Sequence, residues 1–345
     1  MDRERPTDIA RGLGIVLVVA GHTIASWNSG HELLYKFIYS FHMPFFLGLG
    51  GMYIRADGPL VAFIKAKLIR LIIPFISWSL FYLCLTLLIQ AIKNDLGTPT
   101  SGFALKLLTV PLHGDWHSLY ATGIYVDLWF LPALFSTVLF TRLLARWSDS
   151  QGLVASLAYC YLLSLSIVLL NDLLGSRPFS HWGIDIAIAS LPFVYLCKLR
   201  KYFYRVSPYF ILPLILVVHM FSRAQEASLA VLKISNYGSF IISASLGIIL
   251  LFVISAWIQD WKIGRILEML GERSYLVFLM TGAILTLSGP VRRMLWNSND
   301  DFSNVISFVV VLITASFAYP LVTSNTPLAL LAIGAKSPYK SSYSS

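Results

Sequence analysis

GSFIISASLGIILLFVISAWI, residues 238–258, runs for 21 residues without one charged side chain. As a helix it spans about 31 Å, the thickness of a bilayer's hydrocarbon core. The chain keeps this character on both sides of the run. Of 345 residues, 57% are apolar and 12% charged, against about 45–50% and about 25% in a soluble domain. A water-soluble enzyme with so little charge could not cover its surface, and disorder, collagen and coiled coil fail on the same composition. Windows of high hydropathy fall near 11–28, 33–54, 71–91, 123–141, 152–170, 183–197, 209–222, 238–258, 269–289 and 303–323. The sequence therefore predicts an all-α polytopic membrane protein of about ten transmembrane helices. Residues 1–323 read as a single membrane-embedded domain and 324–345 as a cytoplasmic tail, disordered at its Ser-rich end. The sixth and seventh windows are short and read as tilted, broken or partly re-entrant.

Charge orients the bundle. With the N-terminus in the cytoplasm, 18 of the 26 Lys and Arg residues fall in segments on that side. This is the positive-inside pattern, so the prediction is N-in, C-in, multi-pass in the inner membrane, with the basic side meeting anionic lipid. No basic face is interleaved with stacking aromatics, which excludes a nucleic-acid partner. Cys84, Cys160 and Cys197 lie in apolar runs at spacings matching no metal or redox signature, and read as small hydrophobes. The N-terminus superficially resembles a secretion signal, but no small-residue cleavage site follows and the run contains His22, so it reads as the first span. The segment 55–70 alternates apolar and basic residues at helical spacing and reads as lying along the cytoplasmic interface. The longest outer loop reads as 92–122.

Ionisable groups inside lipid are costly, and the first span holds two. Arg11 and His22 are eleven positions apart, about three helical turns, so they share a face about 16 Å apart. Asp8 lies on nearly the same face, placed to orient the Arg11 guanidinium. A rim cation and a submerged titratable base suit a long ligand with a phosphate head in the cytoplasm and a reactive end in the membrane. Coenzyme A thioesters have that shape: Arg holds phosphate and neutral His deprotonates a hydroxyl. His42, in FHMPFFLGLGG at 41–51, lies about 13 Å below its span's outer end, against about 9 Å for His22. It reads either as a second reactive group or as a hydrogen-bonded structural histidine.

These residues resemble the acyltransferase-3 family of membrane O-acyltransferases, in particular its fucose O-acetylase-like and exopolysaccharide acetylase branch. The matching elements are Arg11-x10-His22, FHMPFFLGLGG, Lys67-x-x-Arg70, Trp129-Phe130-Leu131 and Gly271-Glu-Arg-Ser274, spread over residues 8–281. The resemblance implies a ten-span core that takes acetyl groups from cytoplasmic acetyl-CoA and gives them to a hydroxyl of a glycan or lipid-linked sugar. It implies that His22 is the essential histidine, Arg11 its donor-site partner, and that Lys67 and Arg70 contact the CoA phosphates. Two positions depart from the family. Lys67 stands where a second arginine is common, keeping the charge and losing bidentate phosphate geometry, and Thr281 stands where a histidine is frequent.

Other candidates carry two readings each. Trp116, Tyr120, Tyr125 and Trp129 are placed to stack on a sugar ring, or form an interfacial aromatic belt. Asp127 at the outer start of the fourth span bonds an acceptor hydroxyl or caps the helix. Ser274 stands near the donor site or caps its own helix. Arg292 and Arg293 meet an anionic acceptor or anchor their span. His113, Asp115 and His117 alternate in an irregular loop, a poor arrangement for converging on a metal, and none is expected. A rival function, a proton-coupled transporter or lipid-linked sugar flippase, would use the histidines as a relay, but the spans show no internal repeat.

Overall fold

A computed structural model describes residues 4–24, 31–92, 113–122, 126–296 and 301–335. Expectations for 93–112, Tyr125, the Arg292 and Arg293 side chains and the chain beyond residue 335 fall outside them.

The described residues form a helical bundle. In chain order the helices are α1 (Arg5–Ile24), α2 (Glu32–Gly51), α3 (Leu60–Lys67), α4 (Ile73–Ile92), α5 (Trp116–Thr122), α6 (Phe130–Gln151), α7 (Leu153–Leu174), α8 (Ile184–Lys198), α9 (Arg200–Phe203), α10 (Ile211–Arg223), α11 (Tyr237–Trp257), α12 (Lys262–Trp296), α13 (Asp301–Ser324) and α14 (Thr326–Ile333). A π turn, Leu68–Ile72, joins α3 to α4 without a break. Residues 60–89 thus run as one apolar span, where the sequence suggested an interfacial segment followed by a span. A minimal antiparallel pair, β1 (Ala227–Ser228) and β2 (Lys233–Ile234), with Ala227 opposite Ile234, closes the connection before α11.

Six helices among the described residues are long and apolar enough to cross a membrane. The windows at 11–28, 33–54, 183–197 and 209–222 also fold as helices, α1, α2, α8 and α10, which are not among those six. α1 carries Thr7, Asp8, Arg11 and His22, and α2 interrupts its apolar run with Tyr35, Lys36, Tyr39, Ser40, His42 and Pro44. α8 has 15 residues and α10 has 13, about 22 and 20 Å of helix.

α1 is the axis of the bundle. It packs along α12 and also against α2, α11 and α13, burying Ile9, Ala10, Ile15, Val18 and Val19. Its contact with α12 is unusually close. A Cβ on Gly12 would strike the Leu267 carbonyl, and one on Gly271 the Asp8 carbonyl. Absent side chains let the two backbones touch. The periphery is the reverse of a soluble protein: α7 exposes Leu162, Leu169 and Leu173, α10 exposes Leu212, Leu216 and Met220, and α13 exposes Phe317 and Leu321. Cys84, Cys160 and Cys197 are all free.

Ion pairs fasten the N-terminal end of α1. Arg5 Nε meets Glu268 at 2.9 Å, and Glu4 accepts from Arg200 Nε and Nη2 at 2.6 and 2.9 Å. Burial opposes ionisation of Glu4, but the Arg200 guanidinium, the Thr7 hydroxyl and Lys201 outweigh it and hold the carboxyl below its ordinary range. A depressed folded-state pKa gives stability that is present above the unfolded value and is lost as pH falls through the folded one. Protection of the amides across residues 5–10, relative to their intrinsic exchange rates, is therefore expected to fall as pH is lowered through the folded-state pKa of Glu4. Glu4→Gln should exchange faster at neutral pH and lose that dependence; an unchanged pH response in Glu4→Gln assigns the effect to another group.

Candidate active site

Arg11, on the inward face of α1, donates from Nη1 to Asp8 Oδ1 at 2.7 Å. The i, i+3 spacing read from the sequence thus orients the guanidinium. From Arg11 a cavity of about 730 Å³ runs inward along Ile15 and Val18 of α1. These positions follow one helical stripe, and His22 is the next residue on it. Four cations, Arg11, Arg55, Lys67 and Arg70, gather in the cavity wall with Ser274 and Tyr275 of α12, while Asp57 and Glu272 add acceptors. The deeper wall is apolar, formed by Met43, Phe46, Leu134, Phe130 and Phe278. The sequence candidates Arg11, Lys67, Arg70 and Ser274 therefore share one wall. Ser274 is buried and donates to the Gly271 carbonyl at 2.8 Å, a bond within its own helix.

His22 is not part of that wall. It lies about 6 Å beyond Val18 along the helix. Around the deep end, Phe130 meets Phe46 edge-on with centroids 6.5 Å apart and Phe278 at 5.2 Å. The residues that line the cavity end at Val18, one turn short of His22.

Beyond the rings, His22 faces a carboxylate. Its Nδ1 is 3.5 Å from Asp127 Oδ2, with both side chains mostly buried at 13% and 14% exposure. Reactive hydrogen bonds in unliganded sites are often long and tighten in the complex. A carboxylate at Nδ1 fixes the imidazole tautomer and makes Nε2 the base. Sequence reasoning placed Asp127 at the start of the fourth span and paired it with the acceptor or a cap, not with His22. The missed signal was its position at the outer start of a span, level with an intramembrane imidazole. Tyr35, Tyr39 and Tyr82 lie within the electrostatic reach of this carboxylate. Tyr35 and Tyr39 stack at 3.9 Å, and Tyr39 meets His22 edge-on at 6.4 Å.

His42 is near but differently engaged. It is 1% exposed, and its ring stands 4.6 Å from Tyr39. Its Nδ1 is 2.8 Å from the Ile38 carbonyl, which can only accept, so the proton sits on Nδ1. The bond is to its own helix rather than to His22 or Asp127. Thr281, at the position where the family often has histidine, likewise bonds its own helix through the Val277 carbonyl at 2.7 Å.

The remaining candidates lie apart from one another. Trp129 is 3% exposed and packs on Phe130, so it presents no open face to a sugar. Trp116 is half-buried and stacks on the exposed Tyr120 at 5.0 Å with the rings 7° from parallel. Asp115 accepts from the Ser118 amide at 2.8 Å, which makes it the cap of α5, and His113 stacks on His181 instead of converging with it. Among the described residues no three His, Cys, Asp or Glu side chains come together to hold a metal.

No curated protein and no solved structure matches the chain significantly. A family model does. The acyltransferase domain of the acyltransferase-3 family matches residues 7–324, which takes in the Arg11 cavity, His22 and Asp127; the chain is a member of that family and a membrane acyltransferase.

Proposed function

We propose that the chain is an inner-membrane O-acetyltransferase. It would move an acetyl group from cytoplasmic acetyl-CoA to a sugar hydroxyl of an exported or cell-surface polysaccharide, or of its lipid-linked precursor. The observation that carries this reading is the order of groups along one stripe of α1. A cation-lined cavity holds Arg11, Ile15 and Val18, and the His22–Asp127 pair follows one turn beyond. Arg11, Lys67 and Arg70 would take the phosphates and ribose phosphate of CoA, with Lys67 acting as a point charge. The pantetheine arm would follow the apolar wall toward the ring cluster. His22 Nε2 would remove the proton of the acceptor hydroxyl, and Asp127 would stabilise the imidazolium. The freed oxygen attacks the thioester carbonyl, the C–S bond breaks as the ester forms, and the departing thiolate takes the proton from His22. Acceptor and thioester would meet at the imidazole, with the ring cluster separating the reactive ester from the water at the cavity mouth.

The test is transfer of label. Purified protein in lipid nanodiscs, given acetyl-labelled CoA and glycan extracted from a deletion strain, should release free CoA and leave label in the glycan in alkali-labile form. Hydrolysis without glycan labelling would overturn the acceptor assignment. Label retained on intact CoA would overturn the donor assignment.

A further inference from the structure

We propose that Tyr275 and the C-terminal helix α14, through Gly334, are positioning devices for Arg70, holding the π turn that aims it into the cavity. The inference rests on the donor reading above, and adds to it residues that the Arg11–His22 pattern does not contain. Gly334 also lies beyond the stretch matched by the family.

The turn at Leu68–Ile72 is defined by an Ile73 amide that donates to the Leu68 carbonyl, one residue further back than in an α-helix. Such single π turns are uncommon, disturb the regular ladder and concentrate at functional sites. This one carries Arg70 beside Lys67 at the cavity mouth. Two groups from elsewhere in the chain touch it, and a third bond holds one of them in place. The Tyr275 hydroxyl donates to the Arg70 carbonyl at 3.1 Å. Gly334 caps α14 in the left-handed region, at φ 62° and ψ 25°. A Cβ there would lie 2.5 Å from Arg70 Cα, 2.6 Å from the Ile69 oxygen and 2.7 Å from the Arg70 oxygen. All three are backbone atoms, so no side-chain rotation relieves the clash. Trp78 Nε1, donating to the Ala332 carbonyl at 3.0 Å, fastens α14 to α4 just below. Tyr275 itself lines the cavity, so one residue touches both the donor space and the backbone of the cation that shapes it.

Space and backbone conformation can be separated within this chain. Gly175 also ends a helix, α7, in the left-handed region, at φ 58°, but a Cβ on it would meet nothing within 4 Å. Gly175→Ala therefore carries the conformational strain without the collision.

The experiment is steady-state kinetics and direct acetyl-CoA binding on the full chain in nanodiscs. Tyr275→Phe and Gly334→Ala should each raise KM and the dissociation constant for acetyl-CoA by about five- to tenfold, the worth of one hydrogen bond or slightly more. Their kcat should stay within about twofold, since the chemistry lies beyond the ring cluster. Gly175→Ala should leave KM unchanged. In an Arg70→Ala background, Tyr275→Phe should add nothing, because the two act through one group. Should Gly334→Ala fail to insert, Tyr275→Phe decides the matter. Unchanged KM in Tyr275→Phe, or a full additional loss in the Arg70→Ala background, overturns the inference and leaves the donor reading intact. If the unaltered chain binds no acetyl-CoA, the donor reading falls and takes this one with it.

Discussion

His22→Ala should lower kcat by about 10²–10⁴-fold, the usual worth of a positioned general base. The amount of protein in the membrane should not change, because alanine is a strong helix former and α1 is held along its length by α12 and its own buried apolar residues. The donor end of the site stands about 16 Å away at Arg11, so acetyl-CoA binding should survive. Loss of turnover with retained binding is therefore the signature. Asp127→Asn keeps the shape and removes the charge that favours imidazolium, and a loss intermediate between none and that of His22→Ala is expected. His42→Ala should cost stability more than chemistry, since its ring is fully packed and bonded to its own helix. Turnover that persists in His22→Ala, or disappears only in His42→Ala, would transfer the role to the second histidine. Product analysis in both variants separates these outcomes.

Gly271→Leu should abolish the folded protein. At the α1–α12 crossing the Cβ of any residue at position 271 would sit on the Asp8 carbonyl and within 3.0 Å of the Gly12 amide nitrogen. Neither neighbour can rotate away. Overpacking of a tight contact costs about 1–3 kcal/mol and occasionally more. Here the strain falls on the main axis of the bundle, so a loss at or above the upper end of that range is expected. Gly271→Ala offers the graded version. It should insert with a lowered melting temperature and weakened acetyl-CoA affinity, because separating the helices moves Arg11 from Ser274 and Tyr275. Gly238→Ala is the control, since its Cβ would meet only an Asn236 side-chain atom at 3.6 Å. Thermal unfolding in detergent with size-exclusion chromatography gives the comparison. A Gly271→Ala protein as stable and as tightly binding as Gly238→Ala would show that the crossing tolerates wider spacing.

The fold class was legible without coordinates because hydropathy is a local property: an uncharged 21-residue run has few fates besides a membrane helix. The same locality limits what the windows say of each helix's surroundings. Hydropathy windows registered α1 and α2 as apolar stretches, but their polar groups turn inward to line the site, so they are helices of the bundle interior more than lipid-facing rods. Arg11, Asp8 and His22 could be placed on one stripe because all three lie on a single helix, where spacing fixes the angle. Whatever required two helices to meet was out of reach. Asp127 as the partner of His22, the ring cluster of Phe46, Phe130 and Phe278, and Tyr275 on the Arg70 carbonyl each join residues more than eighty positions apart.

By itself, then, the sequence determined a helical membrane chain and the placing of Arg11 and His22 on one stripe of one helix, since both follow from periodicity along a single segment. Only the tertiary structure decided which carboxylate faces the imidazole, where the Arg11 cavity stops, and why position 334 must lack a side chain. Those depend on distances between backbones that no spacing along the chain encodes.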